Sequence, residues 1–61
     1  MELPQVVTEK TIGSTIVQVL AYRKVTEPEF KIALQMWFKS MRRKTLPKNK
    51  IIQIQTTFGQ F

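Results

Sequence analysis

Residues 26–44 constrain the fold more than any other stretch, because a helix start signal there runs directly into an apolar stripe of helical period. Thr26-Glu27-Pro28-Glu29 fits a capping box, in which a Thr hydroxyl accepts from the N3 amide while Glu at N3 reaches back to the cap amide. Pro28 falls in the first turn, where its missing N–H costs nothing. Phe30, Ala33, Leu34, Trp37, Phe38 and Met41 then recur at i, i+3, i+4, i+7, i+8 and i+11. At about 100° per residue they cover an arc of roughly 140°, wide enough to seal one face of a small sheet. Pro47 discourages any resumption of the helix beyond Lys44. The pattern predicts an amphipathic helix over 26–44 that buries its three aromatics, Leu34 and Met41.

On either side of that helix the sequence reads as strand. Gln5–Ile12 and Thr15–Val25 are rich in β-branched and aromatic residues and are separated by Gly13-Ser14. A two-residue Gly-Ser link is a hairpin signal, since Gly supplies the positive φ that a type II′ turn needs at its first central position. Closing that turn pairs Ile12 with Thr15, Lys10 with Val17, Thr8 with Val19 and Val6 with Ala21. Val7, Ile16, Leu20 and Tyr22 then collect on the opposite face, and both faces are partly apolar. After a loop at Leu46–Asn49, Lys50–Phe58 is the third strand, with Ile52, Ile54, Thr56 and Phe58 on one face. Ile51–Phe58 carries no charge and no Pro. An open edge of that composition invites aggregation, so a central place in the sheet or pairing with a second subunit is expected.

The fold class that follows is α+β: a small β-β-α-β domain spanning 1–61, with one amphipathic helix packed on a three-stranded sheet. A helical crossover returns strand 3 parallel to strand 2, and the pattern leaves open whether it lies beside strand 2 or strand 1. The competing reading makes 14–24 a helix capped by Ser14, giving a ribbon-helix-helix-like β-α-α arrangement. Thr15, Ile16, Val17 and Val19 weigh against it, because β-branched side chains lose rotamer freedom in a helix. It would also leave the third strand without a role.

A chain of 61 residues buries only about 60% of the surface it exposes when unfolded and is marginal without help. It has no Cys and no His, so disulfides and the common zinc sites give none. Self-association is the remaining aid, and a homodimer is expected. No metal or other cofactor is expected. The N-terminus shows neither a basic nor an apolar signal region, and Ile16–Tyr22, interrupted by Gln18, is far too short to span a bilayer. A cytoplasmic location is the expectation.

Charge carries the functional signal. Residues 1–29 hold all four acids (Glu2, Glu9, Glu27, Glu29) and three bases (Lys10, Arg23, Lys24), for a net of −1. Residues 30–61 hold seven bases and no acid, for a net of +7. Such asymmetry points to a polyanionic partner, nucleic acid or an anionic membrane surface. Lys31, Gln35, Lys39 and Arg42 form one stripe on the helical wheel, Arg43 and Lys44 close the helix, and Lys48 and Lys50 continue through the loop. Those eight residues are the expected nucleic-acid contacts, with Gln35 suited to a base edge or a phosphate. Part of the pattern has a plainer cause, since acids at a helix start and bases at its end complement the macrodipole. That cause does not cover Lys31, Lys39, Lys48 or Lys50.

With four Glu, no Asp and no His, the chain is poorly supplied for acid–base chemistry, and no enzymatic activity is expected. Ile32 and Met36 are neighbours outside the apolar arc, and they suggest a second contact such as a dimer seam or a partner protein. The expected function is that of a small basic, non-enzymatic nucleic-acid-binding or regulatory protein. The alternatives are an interaction module or inhibitor docking through Ile32 and Met36 or a strand edge, and a helix lying flat on an anionic membrane.

Overall fold

Gly13 has φ +63° and Ser14 lacks a positive φ, the φ signature of the turn expected from Gly-Ser. The computed structural model describes residues 3–60. It contains β1 (Gln5–Ile12), β2 (Thr15–Ala21), α1 (Glu27–Met41) and β3 (Ile51–Gln55), the β-β-α-β order of a small α+β domain. The segment after Ser14 is strand rather than helix, so the ribbon-helix-helix-like alternative is excluded.

The sheet order is β1-β2-β3. β1 pairs antiparallel with β2 and β3 pairs parallel to it, with Val17 opposite Ile52 and Val19 opposite Ile54. Strand 3 therefore lies beside strand 2, and β2 rather than β3 is central. Hairpin register follows expectation from Ile12–Thr15 as far as Thr8–Val19 and then slips. A bulge at Val7 sets Val6 opposite Leu20 instead of Ala21. One extra residue on one strand moves every side chain beyond it by one place.

Burial selects the face that alternation leaves open. Thr15, Val17, Val19 and Ala21 are buried, with Val17 and Val19 packed under the helix, while Ile16, Gln18, Leu20 and Tyr22 are only half-buried. The core cluster is Val17, Val19, Phe30, Ala33, Ile52 and Ile54, with Val25, Leu34, Trp37, Leu46 and Phe58 packed against it. β1 contributes nothing to that cluster. Its Lys10 lies instead over the Phe30 ring, 4.8 Å from the centroid, and pairs with Glu27. Met41, expected in the core, is 56% exposed. α1 ends at Met41 and Arg42 turns left-handed, so Met41 is the last residue of the helix rather than one inside a 26–44 span.

The capping box at Thr26 is complete: the Glu29 amide donates to Thr26 Oγ1, and the Thr26 amide donates to Glu29 Oε1 at 2.9 Å. Arg23 adds a two-pronged grip, Nη1 to Oε1 at 2.9 Å and Nη2 to Oε2 at 2.6 Å. Hydrogen bonds from Arg23, then from the Thr26 amide, hold the Glu29 carboxyl at about 2. Beyond β3 the chain stays against the same region. Thr56 N–H donates to Leu20 O, Tyr22 N–H donates to Phe58 O, and the Arg23 guanidinium lies 5.7 Å from the Phe58 ring centroid. Gly59 closes this corner at φ +86°, where an added Cβ would stand 2.9 Å from the Arg23 amide nitrogen.

Two outcomes follow. Gly59→Ala meets both a left-handed backbone and a clash, and should cost about 1–3 kcal/mol in denaturant unfolding at unchanged m. Glu29→Gln should lower Tm most at neutral pH. Because the folded-state value lies below the ordinary carboxylate range, the ionised group's contribution is complete above that range and is lost as pH falls through about 2. The gap between wild type and variant should therefore close on acidification in a pH series of thermal melts.

Candidate nucleic-acid interface

Phe30 and Ala33 are the residues of α1 held against the sheet. Lys31, Gln35 and Lys39 project from the opposite side, within about 80° of one another on the wheel, and all three are exposed. Lys31 stands two turns from Lys39, about 12 Å along the axis. The helix is shorter at its C-terminal end than the sequence suggests: it ends at Met41, and Arg42, Arg43 and Lys44 lie beyond it. Arg42 takes a left-handed conformation, φ 56° and ψ 43°. Its N–H donates to Lys39 O and the Arg43 N–H donates to Phe38 O, a Schellman closure built on arginine where glycine is the usual residue.

The chain then turns back along the hairpin tip. Thr15, 1% exposed, donates its hydroxyl hydrogen bond to Pro47 O. Ser14 Oγ accepts from the Asn49 N–H at 3.0 Å, and Lys50 O accepts from the Ile16 N–H at 2.9 Å. Asn49 is left-handed at φ 56°, a conformation that asparagine tolerates better than most residues. These contacts fix the backbone on both sides of Lys48 and Lys50. Ser14, Thr15 and Asn49 are the positions that reading the sequence misses. The signal available was an Asn between two lysines in a loop, with hydroxyl residues at a hairpin tip.

An apolar cleft of about 520 Å³ opens between the hairpin tip and the end of α1, lined by Ile12, Leu34, Phe38, Leu46, Pro47 and Lys48. Phe38 meets Trp37 edge-on at 5.5 Å. It is half-buried and lines the cleft, whereas Phe30 is buried in the core.

The seven cations from Lys31 to Lys50 are exposed. Among the described residues, the ion pairs are Lys10–Glu27 and Arg23–Glu29, both outside this group. Acids at 27 and 29 are thus engaged at the helix start, and the charge at the other end is left uncompensated. Among the described residues no cluster of His, Cys, Asp or Glu could hold a metal ion, and no helix is long and apolar enough to cross a membrane.

Ile32 and Met36 lie elsewhere, on the flank of α1 that faces β3. They are 47% and 65% exposed and line a groove of about 290 Å³ with Ile54 and Phe58. Among the described residues nothing covers them fully.

Comparison with family models, with curated proteins and with solved structures finds no match.

Arg42 carries strain that a glycine would not. Arg42→Gly is expected to raise stability by about 1 kcal/mol, since an L residue in the left-handed region costs roughly that much. Denaturant midpoints of the two proteins measure it.

Proposed function

We propose that the protein is a small non-enzymatic nucleic-acid-binding, regulatory protein that grips phosphates with the outer face of α1 and the loop that follows. The observation that carries this reading is the run of seven exposed cations, with no carboxylate in ion-pair range among the described residues. Solvated like charges gathered on one segment repel each other. A polyanion relieves that repulsion and releases its own counterions on binding.

Two details favour a ligand over the helix dipole as the reason for the charge. Lys31 lies toward the N-terminal half of α1, where the dipole gives a cation no stabilisation. Arg42 places a cation in a backbone conformation that glycine would fill at lower cost. Gln35, between Lys31 and Lys39, offers a donor and an acceptor to a base edge or a phosphate. Homodimer formation belongs to this reading, since it doubles the cationic surface and supports a small core. So does a cytoplasmic location, where a cysteine-free chain forgoes nothing.

A second reading rests on Ile32 and Met36, whose exposure beside an apolar groove favours protein–protein contact. Such contact is apolar and insensitive to salt, which separates it from the first.

Fluorescence anisotropy with labelled duplex and single-stranded oligonucleotides over a salt series tests the proposal. Affinity for a duplex should fall with a log–log slope of about −0.9 for each phosphate engaged. Lys48→Gln and Lys50→Gln should each flatten that slope by about one. Arg42→Gly should weaken binding while raising stability. Binding that is unchanged between low and moderately high salt overturns the proposal.

A further inference from the structure

We propose that two copies of the chain join edge to edge through β3, antiparallel about a twofold axis at Gln53, forming one continuous six-stranded sheet. The inference rests on the homodimer reading above and is independent of nucleic-acid contact.

Ladder parity supplies the first argument. Lys50 O accepts from Ile16, and Thr56 N–H donates to Leu20 O. In a parallel ladder the residues facing the neighbour alternate, so even-numbered positions of β3 serve β2. The N–H and C=O groups of Ile51, Gln53 and Gln55 point to the other side, where no strand lies among the described residues. With Gln53 opposite its own symmetry copy, Ile51 meets Gln55 of the second copy. Each of these odd-numbered pairs is then a hydrogen-bonded pair that exchanges both of its bonds. Ile52 and Ile54 form the alternate, closer pairs on the helix-covered face, with Cα atoms about 4.5 Å apart.

The two edges of the sheet are built differently. β1 carries Glu9 and Lys10 and is bent by the bulge at Val7, devices that protect an edge from pairing. β3 has no charge, no proline and no register shift. An assembly through β3 therefore closes at two copies, because the edges left outermost are the guarded ones.

Charge selects the direction. In antiparallel pairing the Lys50 residues of the two copies stand about 20 Å apart along the strands, whereas parallel pairing would set them about 5 Å apart. The uncharged β3 edge is where a chain of net charge +6 can meet itself without opposing cations. The apolar flank agrees. The groove holding Ile32, Met36, Ile54 and Phe58 runs along this same edge. A twofold axis at Gln53 places the two grooves on the same face of the joined sheet, one to either side of the axis, with Ile54 of each beside it.

Sedimentation equilibrium and backbone hydrogen exchange over a range of protein concentrations test the interface. The wild type should reach twice the 7.2 kDa chain mass. Its Ile51, Gln53 and Gln55 amides should gain protection as concentration rises, while those of Ile52 and Ile54 are protected throughout. Gln53→Lys sets two cations against each other at the axis, and Gln53→Pro removes the central donor without touching a backbone bond to β2, at the cost of the side-chain bond from Gln53 Nε2 to Gln18 Oε1. Each should weaken dimerisation by about tenfold or more, with the circular dichroism of the folded monomer retained. A wild type that stays at the mass of one chain overturns self-association and this interface together. A dimer whose Ile51, Gln53 and Gln55 amides stay unprotected, or which Gln53→Lys leaves intact, overturns the interface alone.

Discussion

The parallel pairing of β2 with β3 beneath α1 is the constraint on which the rest depends. Parallel neighbours cannot be joined by a tight turn, so the chain between them must leave the sheet and return. The helix makes that passage and at the same time roofs Val17, Val19, Ile52 and Ile54 with Phe30 and Ala33. Burial of such side chains is worth about 1.5–3 kcal/mol each, so this handful of contacts dominates the stability of the chain. The same pairing seats the loop before β3 against the hairpin tip. Thr15 and Ser14 can hold Pro47 and Asn49 only because Ile51 enters the sheet beside Ile16.

Charge is partitioned by the same architecture. Glu27 and Glu29 lie at the helix start, the end at which negative charge is favoured, and Lys10 and Arg23 of the hairpin side reach them there. With Glu27 and Glu29 engaged in this way, the later cations extend from the outer face of α1 into a loop pinned at both ends of its lysine pair. On the proposed reading, phosphate contacts position a ligand without reading its sequence, which gives the cationic surface an affinity role and leaves discrimination to Gln35 and the cleft beside Phe38 and Lys48.

The molecule is asymmetric at its edges as well. β1 lies outside the core cluster, is bulged and carries charge, whereas β3 supplies two core residues and presents a bare backbone. A strand cannot hide its free hydrogen-bonding side by folding alone. The structure therefore places its most adhesive backbone next to its most exposed helical methionine, on one flank.

What the sequence determined by itself was whatever a few neighbouring residues can encode. Thr26 with Glu29 started the helix, Gly13-Ser14 turned the hairpin, the 3.6-residue stripe chose the face of α1, and Lys31, Gln35 and Lys39 lie exposed on the outer face, while Arg42, Arg43 and Lys44 are exposed beyond the helix rather than on it. Tertiary structure decided what depends on distant partners. The bulge at Val7 altered a register that alternation alone would continue. The helix stopped at Met41 in a left-handed closure at Arg42, where no glycine signals one, and the central place of β2 and the edge position of β3 came from how the strands pair. Ser14 meets Asn49 across 35 positions of chain. No local periodicity reports such a contact, because its energy exists only once the sheet has brought the two segments together.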